Sequence, residues 1–210
     1  AVKISKINPI IQICSTSEVY GRVKKDQVPI NEKCPLNPAS PYAVSKVTQD
    51  LLGKTYFMNY DLRIITTRMF SYLNPRREDL FATSFAKQIA LIEKGRLKYL
   101  THGNLNSIRT LIDVRDAMEA YWFAISKGKI GETYNIGGDT TLKVGECLEM
   151  LKSLSNVKIL SKLNPGLLRA TDVTLQIPDT RKFKKHTGWK PKYTVAQSLN
   201  MLLDFWRKNI

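Results

Sequence analysis

The feature that most restricts the fold is the run Ile10-Ile11-Gln12-Ile13-Cys14, which passes without a break into Ser15-Thr16-Ser17-Glu18-Val19-Tyr20-Gly21. A short, β-branched, almost uninterrupted apolar stretch is the pattern of a parallel strand with helices on both faces. In open α/β sheets, ligands bind beyond the carboxyl ends of the strands. Three hydroxyls and a carboxylate are therefore delivered to the place where chemistry is expected. The plain alternative is a strand ending in a polar turn with a solvated Glu18; the next helix argues against it.

That helix opens at Ser40, a favoured N-cap, and Pro41, a favoured first helical residue, and is expected to run to about 60. Residues four apart share a helix face, which sets Tyr42 beside Lys46. A neighbouring cation favours the phenolate form of a tyrosine. Tyr42 can therefore act as general base toward a hydroxyl that is about to lose hydride.

The remaining pattern alternates strands and helices. Residues 63–70 have strong strand propensity and end in Ser71-Tyr72-Leu73-Asn74-Pro75-Arg76-Arg77, a second loop at a strand's carboxyl end. A helix is expected over 79–94, with Phe81, Phe85, Ile89 and Ile92 as core residues at helical spacing. A short strand at 98–102, an extended segment at 111–112 and a helix capped by Asp113 follow. Then come a strand at 132–136 closed by Gly137-Gly138, helices at 144–154 and 195–208, and a short helix at 179–187. There is no internal repeat and no low-complexity stretch.

The net charge of +15 raises nucleic-acid binding as a reading. The basic residues are spread along the chain, however, with clumps only at Lys24-Lys25 and 181–185. Zinc-finger spacing, an RNA-binding signature and basic heptads are all missing, so no nucleic-acid partner is expected. A diffuse positive excess also suits anionic small ligands such as nucleotide diphosphates. No run of 18 apolar residues and no charged-then-apolar leader occurs, so neither membrane insertion nor secretion is expected. Cys14, Cys34 and Cys147 are odd in number and lack metal-ligand spacing. Cys14 is expected to be a buried apolar residue of its strand, and a reducing cytoplasm fits the chain best. His102 and His186 lack a partner cluster and are expected to be structural.

Taken together, Ser15-Thr16-Ser17-Glu18-Val19-Tyr20-Gly21, Ser40-Pro41-Tyr42-Ala43-Val44-Ser45-Lys46 and Asn74-Pro75-Arg76-Arg77 resemble the extended short-chain dehydrogenases/reductases of the NAD-dependent epimerase/dehydratase family. The nearest branch is that of the GDP-mannose 4,6-dehydratases. The resemblance implies an α/β fold: a partial doubly wound, Rossmann-like parallel sheet with a smaller C-terminal α/β substrate-binding lobe. It divides the chain into 1–75 with 96–126 for the first and 76–95 with 127–210 for the second.

The resemblance also implies roles. Tyr42 would deprotonate the sugar 4-hydroxyl, and Lys46 would hold the nicotinamide ribose of NADP or NAD. Thr16 would hydrogen-bond the reacting oxygen, and Glu18 would remove the C5 proton. Tyr72 and Arg77 occupy cofactor-contacting positions, although the branch carries histidine at the first of these. Asn74, Arg109 and Arg169 would hold the substrate, a nucleotide-diphosphate sugar with a GDP-sugar favoured. The proline that follows this last arginine in the family is Ala170 here. Helices 41–60 and 79–94 resemble those that pair in a homodimer or homotetramer of the full-length protein. The same fold also serves 4-keto-6-deoxy-sugar reductases, epimerases and decarboxylases, which stand as the alternative.

A glycine-rich phosphate loop is missing: the first glycine is Gly21, and no G-x-G-x-x-G occurs. Residues 1–7 read like the tail of a helix. The resemblance thus implies a longer N-terminal portion that carries the first strands and the pyrophosphate site. The 210 residues alone are expected to turn over little, as a non-catalytic binding protein would.

Overall fold

The computed structural model describes residues 2, 4–5, 7–168 and 173–210. Strand β1 (Ile11–Thr16) runs into a 3-10 turn at Ser17–Tyr20, and helix α1 follows at Pro41–Tyr60. The helix starts where expected because Ser40 Oγ accepts the Ala43 N–H at 3.1 Å and Pro41 takes the first helical position. Asp61 ends it in the left-handed region, at φ 53°. Strand β2 (Ile64–Met69) is buried along its whole length and pairs in parallel with β1, from Ile11 opposite Ile64 to Thr16 opposite Met69.

The chain continues through β3 (Tyr72–Leu73), α2 (Phe81–Glu93), β4 (Leu100–His102), β5 (Ile108–Asp113) and α3 (Val114–Lys127). Next come β6 (Thr133–Ile136), β7 (Thr140–Lys143), α4 (Val144–Ser153) and β8 (Ser161–Leu163). Strand β9 (Leu175–Gln176) and helices α5 (Arg181–Thr187) and α6 (Val195–Asn209) complete it.

The principal sheet is parallel, in the order β1-β2-β6, with helices on both faces. Alternation along β2 decides which side chain meets which layer. Ile64 and Arg68 face α1, where Gly53 lets the helix approach so closely that a Cβ there would lie 2.8 Å from Ile13. Ile65 and Met69 face the other way, into a core with Ala117, Ala120 and Ala124 of α3 and with Tyr134, Phe183 and Trp189. A second core joins α2, α4 and α6 through Phe85, Ile89, Leu148, Leu151, Leu199 and Leu202. Each such fully buried side chain contributes about 1.5–3 kcal/mol. Strand β5 bridges the two cores, since Leu111 belongs to one and Ile112 to the other.

Three expectations need correction. The lobe boundary falls elsewhere: β6 lies in the principal sheet beside β2, with α5 packed on it, although 127–210 was assigned to the smaller lobe. Conversely, Leu100 of β4 lies in the second core, so the segment near residue 100 belongs with the smaller lobe. Cys14 is exposed, because among the described residues β1 pairs only with β2 and lies at the sheet's edge. Helix α2 is buried or half-buried along its length, with α4 and α6 packed on it.

Candidate active site

Thr16 is the last residue of β1 and is buried; its Oγ1 accepts the Glu18 N–H at 3.3 Å and so starts the 3-10 turn. Gly21 closes the turn, donating its N–H to the Glu18 carbonyl at 3.1 Å. Its φ of 58° and its approach to the Asn37 carbonyl, which a Cβ would reach at 1.7 Å, make glycine obligatory there. Glu18 is half-buried, and its Oε1 accepts from Gln176 Nε2 at 3.4 Å. The carboxylate is therefore not merely solvated at the end of a turn.

Helix α1 packs against this turn and brings Tyr42 and Lys46. Tyr42, in the first turn of the helix, is 54% exposed. Lys46 Nζ lies 5.9 Å from the centre of the Tyr42 ring. The same ammonium donates to the Cys14 carbonyl and to Gln49 Oε1, each at 3.0 Å, and keeps a third N–H for a ligand. Ser15 Oγ donates to Asp50 Oδ2 at 2.9 Å, a second tie between the strand end and the helix.

The remaining candidate residues divide. Tyr72 and Arg77 are brought together, with Arg77 Nη1 donating to Tyr72 Oη at 3.3 Å. The Arg77 fork is held on Asp79 by two bonds of 2.7 Å, and those bonds keep the guanidinium pKa above its ordinary value. Asn74 shapes the turn itself: its Oδ1 accepts the Arg76 N–H at 3.0 Å, and its carbonyl accepts from Thr83 Oγ1 at 2.8 Å. Arg109 is half-buried in β5 and aligns on the carbonyls of Ile108 and Val173. Arg169 lies outside the described residues.

Three further groups were not found from the sequence. Tyr121 on α3 is close enough to Cys14, Tyr72 and Tyr42 for each to oppose its ionisation, and burial, the larger cause, raises its pKa further. Gln176 and Arg68 reach the site from β9 and β2. Sequence signals were slight: one amide in a two-residue strand and one charge in an apolar run.

The nicotinamide-ribose end of NAD(P) fits these residues, given the spare Lys46 N–H and the exposed phenol. No G-x-G-x-x-G loop occurs to take the pyrophosphate end. Gly137-Gly138 follows β6, but a Cβ would meet Pro178 at 2.7 Å at the first and the Leu111 carbonyl at 1.9 Å at the second. That space is taken by protein. No group of His, Cys, Asp and Glu among the described residues could hold a metal.

The family profile of GDP-mannose 4,6 dehydratase matches residues 1–202. The chain belongs to that family. It is 30% identical over 198 residues to GDP-6-deoxy-D-mannose reductase of Pseudomonas aeruginosa, covering 93% of this chain and 65% of the reductase. It is 28% identical over 201 residues to GDP-mannose 4,6 dehydratase 2 of Caenorhabditis elegans, covering 87% of this chain and 52% of that protein. The solved structure of RMD from Pseudomonas aeruginosa, complexed with NADPH, superposes with a TM-score of 0.93 at 27% identity, over 100% of this chain and 70% of that one. The chain thus spans between half and two thirds of the length of these two curated relatives.

Proposed function

We propose that the full-length protein is an NAD(P)-dependent nucleotide-sugar 4,6-dehydratase acting on a GDP-sugar. The observation that carries this reading is Glu18, a carboxylate on the same strand-end turn as Thr16, with the helix of Tyr42 and Lys46 packed against it. A 4-ketone alone does not expel hydroxide from C6, so an acid–base group near C5 is required.

The hydrogen bonds support the following roles. Tyr42, with the Lys46 ammonium beside its ring, takes the proton of the 4-hydroxyl. Thr16 Oγ1 accepts from the Glu18 N–H, so its own proton is free to steady the reacting oxygen. Bound beside Lys46, NAD(P) supplies the acceptor and later the donor of one hydride. Glu18 removes the C5 proton acidified by the 4-ketone and delivers it to the departing 6-hydroxyl, which leaves as water. Arg109 and Arg169 would hold the diphosphate, as guanidinium forks suit phosphate oxygens.

A second reading has its own support. The reductase relative and the whole-chain likeness to the NADPH-complexed structure favour a 4-keto-6-deoxy-sugar reductase on the same frame. Assembly as a homodimer or homotetramer through α1 belongs to the proposal, supported by the outward Val44, Leu51, Leu52, Tyr56 and Met58. No described helix is long and apolar enough to cross a membrane, and the three free cysteines suit a cytoplasmic setting. Incubating the full-length protein with GDP-mannose and no added reductant tests the first reading. A 4-keto-6-deoxy product supports it; NADPH consumption only with a keto sugar replaces it with the second.

A further inference from the structure

Arg68 is an expensive residue for the middle of a parallel sheet, since β2 is otherwise apolar or hydroxylic and the guanidinium is buried. Its Nε donates to Asp50 Oδ2 at 2.9 Å. Its Nη1 donates to Tyr20 Oη at 2.9 Å and to the Glu32 carbonyl at 3.2 Å. Asp50, equally buried, also accepts from Ser15 Oγ at 2.9 Å. Burial pushes the Tyr20 phenol up to about 12, so Tyr20 keeps its proton and gives it to Asn135 Oδ1 at 2.7 Å. The Asn135 amide nitrogen in turn donates to the Ile30 carbonyl at 2.8 Å.

The placement of these partners is what matters. Ser15 and Tyr20 flank the Thr16-Ser17-Glu18 turn on both sides. Asp50 lies one turn beyond Lys46 and two beyond Tyr42 on α1. A buried ion pair is on average no more stabilising than apolar packing of the same volume, so stability alone does not account for it. A planar fork does hold two elements at fixed angles, where apolar packing lets them slide.

We propose that the Arg68–Asp50 pair sets the offset between the Glu18 carboxylate and the Tyr42 phenol, making Arg68 a positioning residue for the reaction. The inference rests on the reading of the site given above. Neither side chain touches substrate; both act through the groups that do.

The test uses the full-length protein with oxidised NADP and GDP-mannose. The double variant Arg68→Met with Asp50→Leu removes both charges together, so neither is left buried without its partner. Its KM and its NADP dissociation constant should stay within about threefold of wild type. Its kcat should drop about 100-fold, as a displacement of about 1 Å in reacting groups does. Arg68→Lys, which keeps the charge and loses the fork, should lose about tenfold. A double variant that retains kcat, or loses it only through KM, overturns the proposal. Amide exchange at Glu18 and Gly21, both bonded within the turn, should quicken about tenfold in the double variant while α1 stays protected. Unchanged exchange also overturns it. If wild type acts on no nucleotide sugar, the proposed function fails, and exchange alone still decides the strut.

Discussion

Lys46 Nζ lies 3.0 Å from the carbonyl oxygen of Cys14 and 5.9 Å from the centre of the Tyr42 ring, so one ammonium joins the end of β1 to the phenol. Replacing either partner separates two effects. Tyr42→Phe removes the proton acceptor and should lower kcat of the full-length enzyme by about 10²–10⁴. Lys46→Met should lower kcat similarly and also weaken NADPH binding, measured by fluorescence titration; unchanged binding would remove the ribose-holding role.

Glu18→Gln keeps the turn and loses the base. The full-length variant should no longer incorporate deuterium at C5 from heavy water, and dehydration should fall about 10²–10⁴. Wild-type exchange at C5 in this variant would transfer the role to another group.

Asp50→Ala alone leaves the buried Arg68 guanidinium without its carboxylate. Stability to urea should fall by about 3–5 kcal/mol, since a buried charge is left uncompensated. A loss below about 1 kcal/mol would mean that water reaches Arg68.

Gly21→Ala should be among the least tolerated single changes. The positive φ and the 1.7 Å approach to the Asn37 carbonyl add, for about 3 kcal/mol or more. Thermal unfolding of the variant measures it.

His186 has a partner that the sequence did not reveal. Tyr134 Oη accepts the Lys129 N–H at 2.9 Å and lies 2.8 Å from His186 Nδ1, which can accept its proton only while the imidazole is neutral. Burial, with Lys129 next and Lys182 and Lys185 adding, holds the His186 pKa below 6.5, against an opposing pull from Glu132. The unfolded chain therefore binds this proton more readily than the folded one. Stability should be complete above pH 6.5 and decline as pH falls below it. His186→Gln should remove that part of the decline, read as Tm at pH 7.5 and 5.5.

Helix α1, strands β1, β2 and β6, and the Asp113-capped α3 were legible in the chain because caps, β-branching and 3.6-residue spacing act over a few residues. The placement of Thr16, Glu18, Tyr42 and Lys46 at a strand end and a helix start was legible for a related reason: local sequence marks such positions. Tyr72 and Arg77 were each expected by resemblance at cofactor-contacting positions; their shared hydrogen bond was not foreseen. Gln176 could not be foreseen, because it meets Glu18 across 158 positions through a two-residue strand.

Local chemistry thus determined which segments are strands and helices, and which ends of them carry reactive groups. Only tertiary structure decided that β6 joins the principal sheet, that Cys14 is exposed, and that Arg68 bonds to both Asp50 and Tyr20. Sheet order and buried charge pairing depend on contacts between segments far apart in the chain. No short window of residues contains them.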